Sequence, residues 1–286
     1  MDTPAAEVHI DEALIDRLVT AQHPDLAGDV RIVANGWDNV VARVGDRYAV
    51  RMPRRELAVE LVRNEQRWLR EFDLPVPIPV PVRAGLPGEG YPWPWSVVPW
   101  LEGTPVTDVA VPDRVALAAD LGAAHRALHR TAPASAPYNP FRGVPLATRA
   151  EHVQGRLRTF APLAPLEPLW RAALAVPEYD GPPRWVHGDP HPGNLLAAGD
   201  GSLAAILDFG DVAAGDPATD LAIGWLAFDR AGRAAYRAAR DPDDALWDRA
   251  RGWAVAITTA FVVFSDDNPR MRAIGDHALE QLLAEV

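Results

Sequence analysis

The chain has 286 residues, of which 48% are hydrophobic and 23% are charged, a composition typical of a soluble globular protein. Its length is sufficient for one large domain or two lobes with a substantial core. The net charge of −11 argues against a nucleic-acid partner, whose phosphates require clustered cations. It permits a cationic small-molecule substrate, although acidity also promotes solubility by itself.

Cysteine and lysine are both missing. The absence of cysteine excludes disulfides and thiol catalysis and fits the cytoplasm. All 28 basic residues are arginine, which excludes a Walker-type P-loop, a pyridoxal Schiff base and a lysine nucleophile. The N-terminus lacks a secretory signal, and the longest apolar stretch, residues 252–264, is too short to span a bilayer. We therefore predict a cytoplasmic protein that does not associate with membranes.

The N-terminal part of the chain predicts a helix followed by strands. Residues 9–23 have helical spacing. Three short runs rich in β-branched residues, 30–33, 40–44 and 48–52, are separated by Asn35-Gly36 and by Gly45-Asp46. The second of these separators is a tight hairpin signal.

A second helix and a further strand pair follow. Residues 56–72 predict a helix with Leu57, Leu61, Trp68 and Leu69 on its apolar side. Residues 80–83 and 95–99 predict the strand pair, entered through a proline-rich segment whose alternative interpretation is a PxxP ligand.

The rest of the chain is rich in alanine, leucine and arginine and predicts helices. These are residues 113–130, 146–160, 217–228, 243–264 and 270–285. Only residues 185–187 and 203–207 predict strands in this part. The pattern indicates a bilobal α+β fold, with an N-terminal lobe of residues 1–102 and a C-terminal lobe of residues 103–286.

Residues 187–194 read His-Gly-Asp-Pro-His-Pro-Gly-Asn, and Asp208 follows 14 residues after Asn194 at the end of an apolar strand. The loop matches the kinase pattern His-x-Asp-x-x-x-x-Asn, and Asp208 lies in Asp-Phe-Gly. Phosphoryl transfer needs one group that positions a hydroxyl and two that hold magnesium on a nucleotide. A surface turn is the alternative for the loop alone, but it does not account for Asp208.

Each polar residue of this motif has a predicted role. Asp189 orients the acceptor hydroxyl and takes its proton, a task in which placement matters more than basicity. Asn194 and Asp208 offer the hard oxygen ligands that magnesium prefers. His187 braces the loop through hydrogen bonds.

The third strand carries a candidate phosphate-binding cation. Ala49 and Arg51 share one face of residues 48–52, because side chains alternate along a strand. In the kinase motif Val-Ala-Ile-Lys, a small residue lies under the adenine and a cation follows two positions later. Glu65 is the predicted partner of Arg51, with Glu60 as the fallback. A solvated strand cation is the alternative for Arg51.

The remaining nucleotide contacts are predicted near the junction of the lobes. Backbone groups of Pro99, Trp100 and Leu101 are candidates for hydrogen bonds to adenine. Leu195 and Ile206 are expected to pack on the base or to lie in the core. The turn at residues 35–39 occupies the place of a phosphate-covering lid but has a single glycine.

Two further patterns have competing interpretations. Asp216 is the predicted cap of a helix with Pro217 in its first turn, and it is a candidate for structural support. Asp220 either braces the catalytic loop or belongs only to this helix start. His125 and His129 have the spacing of a metal pair, but no third ligand is evident, so we favour interior histidines.

The chain resembles the aminoglycoside phosphotransferase family, within the kinase-like group that includes choline and macrolide kinases. Residues 186–189, 206–211 and 215–220 and Asn194 carry the likeness. The resemblance implies a protein-kinase-like fold and an ATP- or GTP-dependent, Mg²⁺-requiring O-kinase for small molecules. By position it assigns catalysis to Asp189 and magnesium to Asn194 and Asp208. Arg51, where such kinases have lysine, and the glycine-poor lid are departures from the pattern.

The acceptor is left open by the sequence. An aminoglycoside or other antibiotic is one class, and choline, homoserine or a sugar-like metabolite is the other. Acidic residues that would face a polyamine include Asp211, Asp267 and Glu280. The rival functions are a metal-dependent hydrolase using His187-x-Asp189-x-His191 and a silent nucleotide-binding module. The protein is expected to be a monomer or a homodimer.

Overall fold

A five-stranded antiparallel sheet forms the first half of the molecule, whose computed structural model describes residues 4–286. The sheet order is β1-β2-β3-β5-β4. The strands are β1 Val30–Asn35, β2 Asn39–Val44, β3 Tyr48–Pro53, β4 Arg83–Gly85 and β5 Trp95–Pro99. The β2–β3 hairpin turns at Gly45, which has a φ of +54°, as a tight turn requires.

Two helices pack on this sheet, α1 Glu12–Gln22 and α2 Val59–Trp68. Asp11 caps α1 by accepting a hydrogen bond from the Leu14 N–H at 2.8 Å. The buried side of α2 includes Val62 and Glu65, and a single 3₁₀ turn extends the helix at each end. Leu57 is 77% exposed, so its predicted place on the apolar side is wrong.

The second half is mainly helical. Its longer helices are α3 Val115–Leu128, α4 Ala150–Thr159, α5 Glu167–Leu174, α8 Arg230–Arg240, α9 Asp244–Phe264 and α10 Pro269–Leu283. The short helices α6 Ala218–Leu221 and α7 Ile223–Leu226 replace the single helix predicted over residues 217–228. No helix in the described part of the chain is long and apolar enough to cross a membrane.

Short strands in this half hold the loop of residues 187–194. They are β6 Thr104–Pro105, β7 Arg184–Val186, β8 Leu195–Ala197, β9 Leu203–Ile206 and β10 Ala213–Gly215. β7 pairs with β10, and β6, β8 and β9 form a three-stranded sheet. The loop therefore leaves one sheet at β7 and enters another at β8.

Two separate hydrophobic cores confirm the predicted bilobal α+β architecture. One contains side chains from α1 and the five-stranded sheet, with Trp95 and Met52 fully buried. The other joins the helices of the second half and includes Phe209 and Trp253. Trp68 at the end of α2 and Phe72 just after the following 3₁₀ turn pack into this second core, so this segment bridges the two halves. The division at residues 102 and 103 stays a prediction.

Several predicted elements are shifted or were missed. The strand predicted over residues 80–83 is instead β4, Arg83–Gly85. Pro79 and Pro81 have no N–H to donate to a ladder, so regular pairing begins after them. The sequence did not predict α5, α8, β6, β8 or β10. The three strands are only two or three residues long and therefore leave little periodic signal.

Candidate active site

The loop between β7 and β8 brings Asp189 and Asn194 together. The Asn194 amide Nδ2 donates to Asp189 Oδ2 at 2.9 Å and to the Asp189 carbonyl at 3.1 Å. A 3₁₀ turn at Pro192–Asn194 places the amide for both bonds. Because its nitrogen is engaged, the Asn194 side chain presents its carbonyl oxygen as the remaining polar atom.

Both histidines of this loop use both ring nitrogens on protein groups. His187 Nε2 bonds to the Leu207 carbonyl at 2.8 Å, and its Nδ1 accepts from the Asp189 N–H at 3.2 Å. His191 Nε2 bonds to Asp189 Oδ2 at 3.1 Å, and its Nδ1 accepts from the Gly193 N–H at 3.1 Å. The metal triplet of the hydrolase alternative would have to break these bonds.

Asp189 is held in its ionised form. Burial alone would raise the pKa of its carboxyl, but attraction to His191, their hydrogen bond and the nearby Arg142 guanidinium together hold that pKa well below its usual range. Arg142 NH2 lies 3.8 Å from Asp189 Oδ1. No role was predicted for Arg142, and His191 was predicted to act only in the hydrolase alternative. Only the folded loop shows that both face this carboxylate.

Asp220 connects the loop of residues 187–194 to the helical half. Its Oδ1 accepts from the Gly188 N–H at 2.8 Å, and its Oδ2 accepts from the His187 N–H at 2.7 Å. His129 Nε2 lies 3.0 Å from the same Oδ2, and Arg240 Nε donates to His129 Nδ1 at 3.0 Å. These hydrogen bonds fix the backbone immediately before Asp189.

Asp216, which was also proposed as structural support, and His125 have buried partners as well. Asp216 forms a two-bond ion pair with Arg249, at 2.8 and 3.3 Å, and accepts from the Ala218 N–H at 3.0 Å. His125 Nδ1 bonds to the Tyr236 hydroxyl at 2.7 Å. His125 and His129 are therefore interior histidines with protein partners, as the favoured interpretation expected.

A three-residue ion cluster joins β3, α2 and the end of β9. Arg51 NH2 contacts Asp208 Oδ1 at 2.9 Å and Glu65 Oε1 at 3.2 Å. Glu65 also accepts from the Phe209 N–H at 3.1 Å. Glu60, the fallback partner, instead pairs with Arg63 at the surface. The cluster therefore ties the strand cation to the second carboxylate of the motif.

Burial and the neighbouring charges shift the pKa values of this cluster in opposite directions. It raises the pKa of Glu65 to about 7, with Arg51 acting in the opposite direction. Burial would lower the pKa of Arg51, but Glu65 and Asp208 raise it above its usual value. Asp208 has a φ of +54°, a conformation that non-glycine residues seldom adopt and that is concentrated at functional sites.

An open cavity of about 270 Å³ lies between the two halves. We call it the interlobe cavity. Its lining includes Arg51, Asp189, Asn194, Asp208 and Asp211, together with Gly36, Trp37 and Asp38 of the turn after β1 and Asn39 at the start of β2. The structure thus gathers the three motif side chains, the strand cation and the predicted lid around one space.

Other predicted site residues lie outside this lining. Leu195 and Ile206 face each other across β8 and β9 and are buried in the larger core. Ala49 is buried opposite Val98. Pro99 ends β5 and Leu101 is half-buried beyond it.

Trp100 and two of the predicted acids also lie elsewhere. The Trp100 N–H donates to the Arg47 carbonyl at 2.8 Å, so that group is already engaged. Asp267 follows α9 in an exposed turn, and Glu280 is exposed on α10. Of the three acids expected to face a polyamine, only Asp211 lines the interlobe cavity.

A second pocket, of about 190 Å³, adjoins Asp189 from the helical side. We call it the arginine pocket. Its lining includes Arg142, Arg149, Arg156, Asp189, Trp253 and Phe261. Asp189 lines both spaces and lies where they meet. This pocket was not predicted from the sequence, although Arg149 and Arg156 have the seven-residue spacing of one helix face.

Comparisons with known proteins identify the family and the fold of the chain. The model of the phosphotransferase enzyme family (APH) matches residues 29–253. No curated protein sequence matches the chain significantly.

Solved structures share the fold. Aminoglycoside 2'-phosphotransferase-IIIa in its GDP complex has a TM-score of 0.70 and 19% identity, over 96% of this chain and 99% of that chain. The streptomycin–ATP complex of APH(2")-IIa has a TM-score of 0.60 and 16% identity, over 96% and 97%. Macrolide 2'-phosphotransferase MphH from Brachybacterium faecium has a TM-score of 0.63 and 22% identity, over 93% and 97%.

The chain belongs to the phosphotransferase enzyme family, because the family model spans most of its length. It is a small-molecule phosphotransferase with the kinase-like fold of that family.

Proposed function

We propose that the protein transfers the γ-phosphoryl group of ATP or GTP to a hydroxyl of a small molecule in a Mg²⁺-dependent reaction. The observation that carries the proposal is the gathering of Asp189, Asn194, Asp208 and Arg51 around the interlobe cavity. Nucleotides in the complexes of related structures, GDP in one and ATP in another, support a nucleotide donor.

The donor set fits magnesium. The Asn194 amide nitrogen is used by Asp189, which leaves the Asn194 carbonyl oxygen for a cation. Asp208 Oδ1 accepts from Arg51 and from the Gly210 N–H, so Oδ2 is the oxygen that remains. Magnesium commonly takes one or two protein oxygens and completes its shell with phosphate oxygens and water. When bound, it would neutralise charge that develops on the phosphates.

Asp189 would position the acceptor. Its Oδ2 is occupied by Asn194 and His191, whereas Oδ1 has only the more distant Arg142 at 3.8 Å. In the proposed reaction, Oδ1 accepts a hydrogen bond from the acceptor hydroxyl and takes its proton as the oxygen–phosphorus bond forms. The bond from the γ-phosphorus to the bridging oxygen breaks, and the nucleoside diphosphate leaves.

Arg51 would stabilise the bound phosphates while holding Asp208. Its guanidinium is always charged and can contact two oxygens at once, as a lysine ammonium cannot. The ion cluster with Glu65 and Asp208 fixes its position before a nucleotide arrives. This arrangement favours an active phosphotransferase over a silent nucleotide-binding module.

The acceptors for a first trial come from two classes. Structures similar in fold hold streptomycin or are named for macrolides, so antibiotics form one class. Metabolite alcohols such as choline, homoserine and sugars form the other.

The test is a coupled assay of nucleoside diphosphate release with purified protein, ATP or GTP, and each acceptor in turn. Acceptor-dependent release that requires Mg²⁺ and is abolished in Asp189→Ala supports the proposal. Release that persists unchanged in Asp189→Ala, or in excess EDTA, would contradict it.

A further inference from the structure

The arginine pocket has two walls, each made by one helix. Arg149 and Arg156 lie seven residues apart, at the start of α4 and within it, so they are two turns apart on one side. Val153 lies between them on the same side and lines the pocket. The opposite wall is the apolar side of α9, with Trp253, Ile257 and other small or apolar residues.

The positive charge of this pocket is only partly balanced. Arg142 lies near two carboxylates, 3.8 Å from Asp189 and 3.7 Å from Asp211. Within residues 4–286, neither Arg149 nor Arg156 has an ion pair with a carboxylate within 4.0 Å. Two guanidinium groups therefore face the pocket without an acidic partner from the described chain.

Neutral groups orient these two guanidinium groups instead. Arg149 donates to Thr148 Oγ1 and to the Pro140 carbonyl, both at 3.1 Å. Arg156 donates to the Ala256 carbonyl at 3.1 Å and to Thr259 Oγ1 at 2.8 Å. Each arginine is half-buried, so its charge is incompletely hydrated.

Electrostatics agree with an uncompensated cationic patch. Burial lowers the pKa of Arg149, and the neighbouring Arg142 lowers it further. Burial also lowers the pKa of Arg156, with Arg149 adding to the effect. A bound anion would relieve this repulsion, because arginine binds carboxylate and phosphate groups through two parallel hydrogen bonds.

We infer that the acceptor is a small anionic hydroxyl compound, with a carboxylate or phosphate bound by Arg149 and Arg156 and an apolar part against α9. The inference rests on the proposed function, because it places the acceptor hydroxyl at Asp189, where the two cavities meet. A polyamine would bring ammonium groups next to two unbalanced cations. The pocket volume of about 190 Å³ is also smaller than the ~300–1,000 Å³ of pockets that enclose drug-sized ligands.

The test uses four probes that share one benzene ring and differ in charge. Benzoate and phenyl phosphate are anionic, benzyl alcohol is neutral and benzylamine is cationic at pH 7.5. Binding to the full chain is measured by isothermal titration calorimetry in low salt. We expect at least one anion to bind tenfold or more tightly than benzylamine, with benzyl alcohol between them. The stronger of the two anions identifies whether a carboxylate or a phosphate is preferred.

Three variants locate the preference. Arg149→Met with Arg156→Met should remove it, whereas Arg158→Met should keep it, because Arg158 is exposed on the other side of α4. Arg149→Gln is a milder second variant, because the hydrogen bonds that it removes, to Thr148 and Pro140, lie at the surface. Thermal unfolding of each variant checks that it is folded.

Four outcomes would overturn the inference. They are equal or tighter binding of benzylamine, binding of none of the probes, an anion preference that survives in the folded double variant, and one that is lost in Arg158→Met. Binding of Mg²⁺–ATP is measured on the same preparation. A protein that binds Mg²⁺–ATP but shows no anion preference contradicts only the acceptor class, whereas failure to bind Mg²⁺–ATP contradicts the proposed function itself.

Discussion

The interlobe cavity and the arginine pocket meet at Asp189 but are built differently. Around the interlobe cavity, the charged groups satisfy one another: Arg51 contacts both Glu65 and Asp208, and Asp189 contacts His191 and Asn194. Across the arginine pocket, Arg149 and Arg156 have only neutral partners. Ion pairs and hydrogen bonds hold the side chains of the interlobe cavity in place, whereas the arginine pocket has two guanidinium groups available to bind a ligand.

The groups proposed for phosphoryl transfer and the groups proposed for acceptor binding therefore come from different parts of the chain. The groups proposed for the reaction come mainly from two short segments, 187–194 and 208–211, held by backbone hydrogen bonds. The walls of the arginine pocket come from α4 and α9, whose contact from Arg156 to Ala256 spans 100 residues. If the two proposals hold, substitutions on a helix face should change which acceptor is bound without disturbing the loop of residues 187–194.

The largest effect should come from the residue that both spaces share. Asp189→Ala should lower kcat about 100- to 10,000-fold, the usual contribution of a positioned proton acceptor. Nucleotide binding should change little, since Asp189 is not proposed to hold phosphates. Single-turnover phosphoryl transfer and nucleotide titration measure the two quantities. Asp180→Ala, at an exposed position, is the matched control, and parental turnover in Asp189→Ala would remove the assignment.

Substitution of Asp220 should lower the stability of the protein, because Asp220 holds the loop that carries Asp189 between the two cavities. Asp220→Ala leaves His129 Nε2 and the N–H groups of His187 and Gly188 without their buried acceptor, and each such unsatisfied group costs about 1–3 kcal/mol in the free energy of unfolding. Urea denaturation measures the loss. Asp248→Ala breaks a more exposed ion pair with Arg251 and should cost only about 0–1 kcal/mol. If both variants lose equal stability, Asp220 does not brace the loop.

Asp208 should affect only the interlobe cavity. Asp208→Asn should weaken Mg²⁺–nucleotide binding by roughly tenfold or more, as changes around metal ligands commonly do. Nucleotide binding in EDTA and benzoate binding should remain near their parental values. Calorimetry with and without Mg²⁺ tests this, and Asp200→Asn on an exposed turn is the control. Equal weakening in EDTA would contradict a metal-binding role.

The pH dependence of kcat/KM should test whether Asp189 is the proton acceptor. His191 and Arg142 hold the pKa of Asp189 below its usual range, and the carboxylate acts as acceptor only when ionised. His191→Gln should therefore raise that pKa and move the acidic limb of the kcat/KM profile to higher pH. Arg142→Met should move it in the same direction by a smaller amount. A limb that stays in place in both variants would show that it belongs to another group.

The sequence predicted much of the fold and the central part of the site. Strand alternation indicated that Ala49 and Arg51 share a face, and the structure pairs Arg51 with the predicted Glu65. It did not reveal that His191 and Arg142 both contact Asp189, because hydrogen-bond partners depend on loop geometry. The expectation that acids would face the acceptor came from the family resemblance and from the sequence positions of acidic residues, which do not report where those side chains lie in the folded protein.

The sequence by itself determined the phosphoryl-transfer motif and the two-lobed architecture, because short-range spacing and side-chain periodicity are local properties of a sequence. Its composition alone showed that lysine is missing. Only the tertiary structure decided which charges meet one another and which remain without partners. Asp208 forms an ion pair with Arg51, which lies 157 positions away in the sequence. Arg149 and Arg156 form no ion pair with a carboxylate within residues 4–286. Such pairing depends on how helices and strands pack across the whole chain, and local sequence pattern does not contain that information.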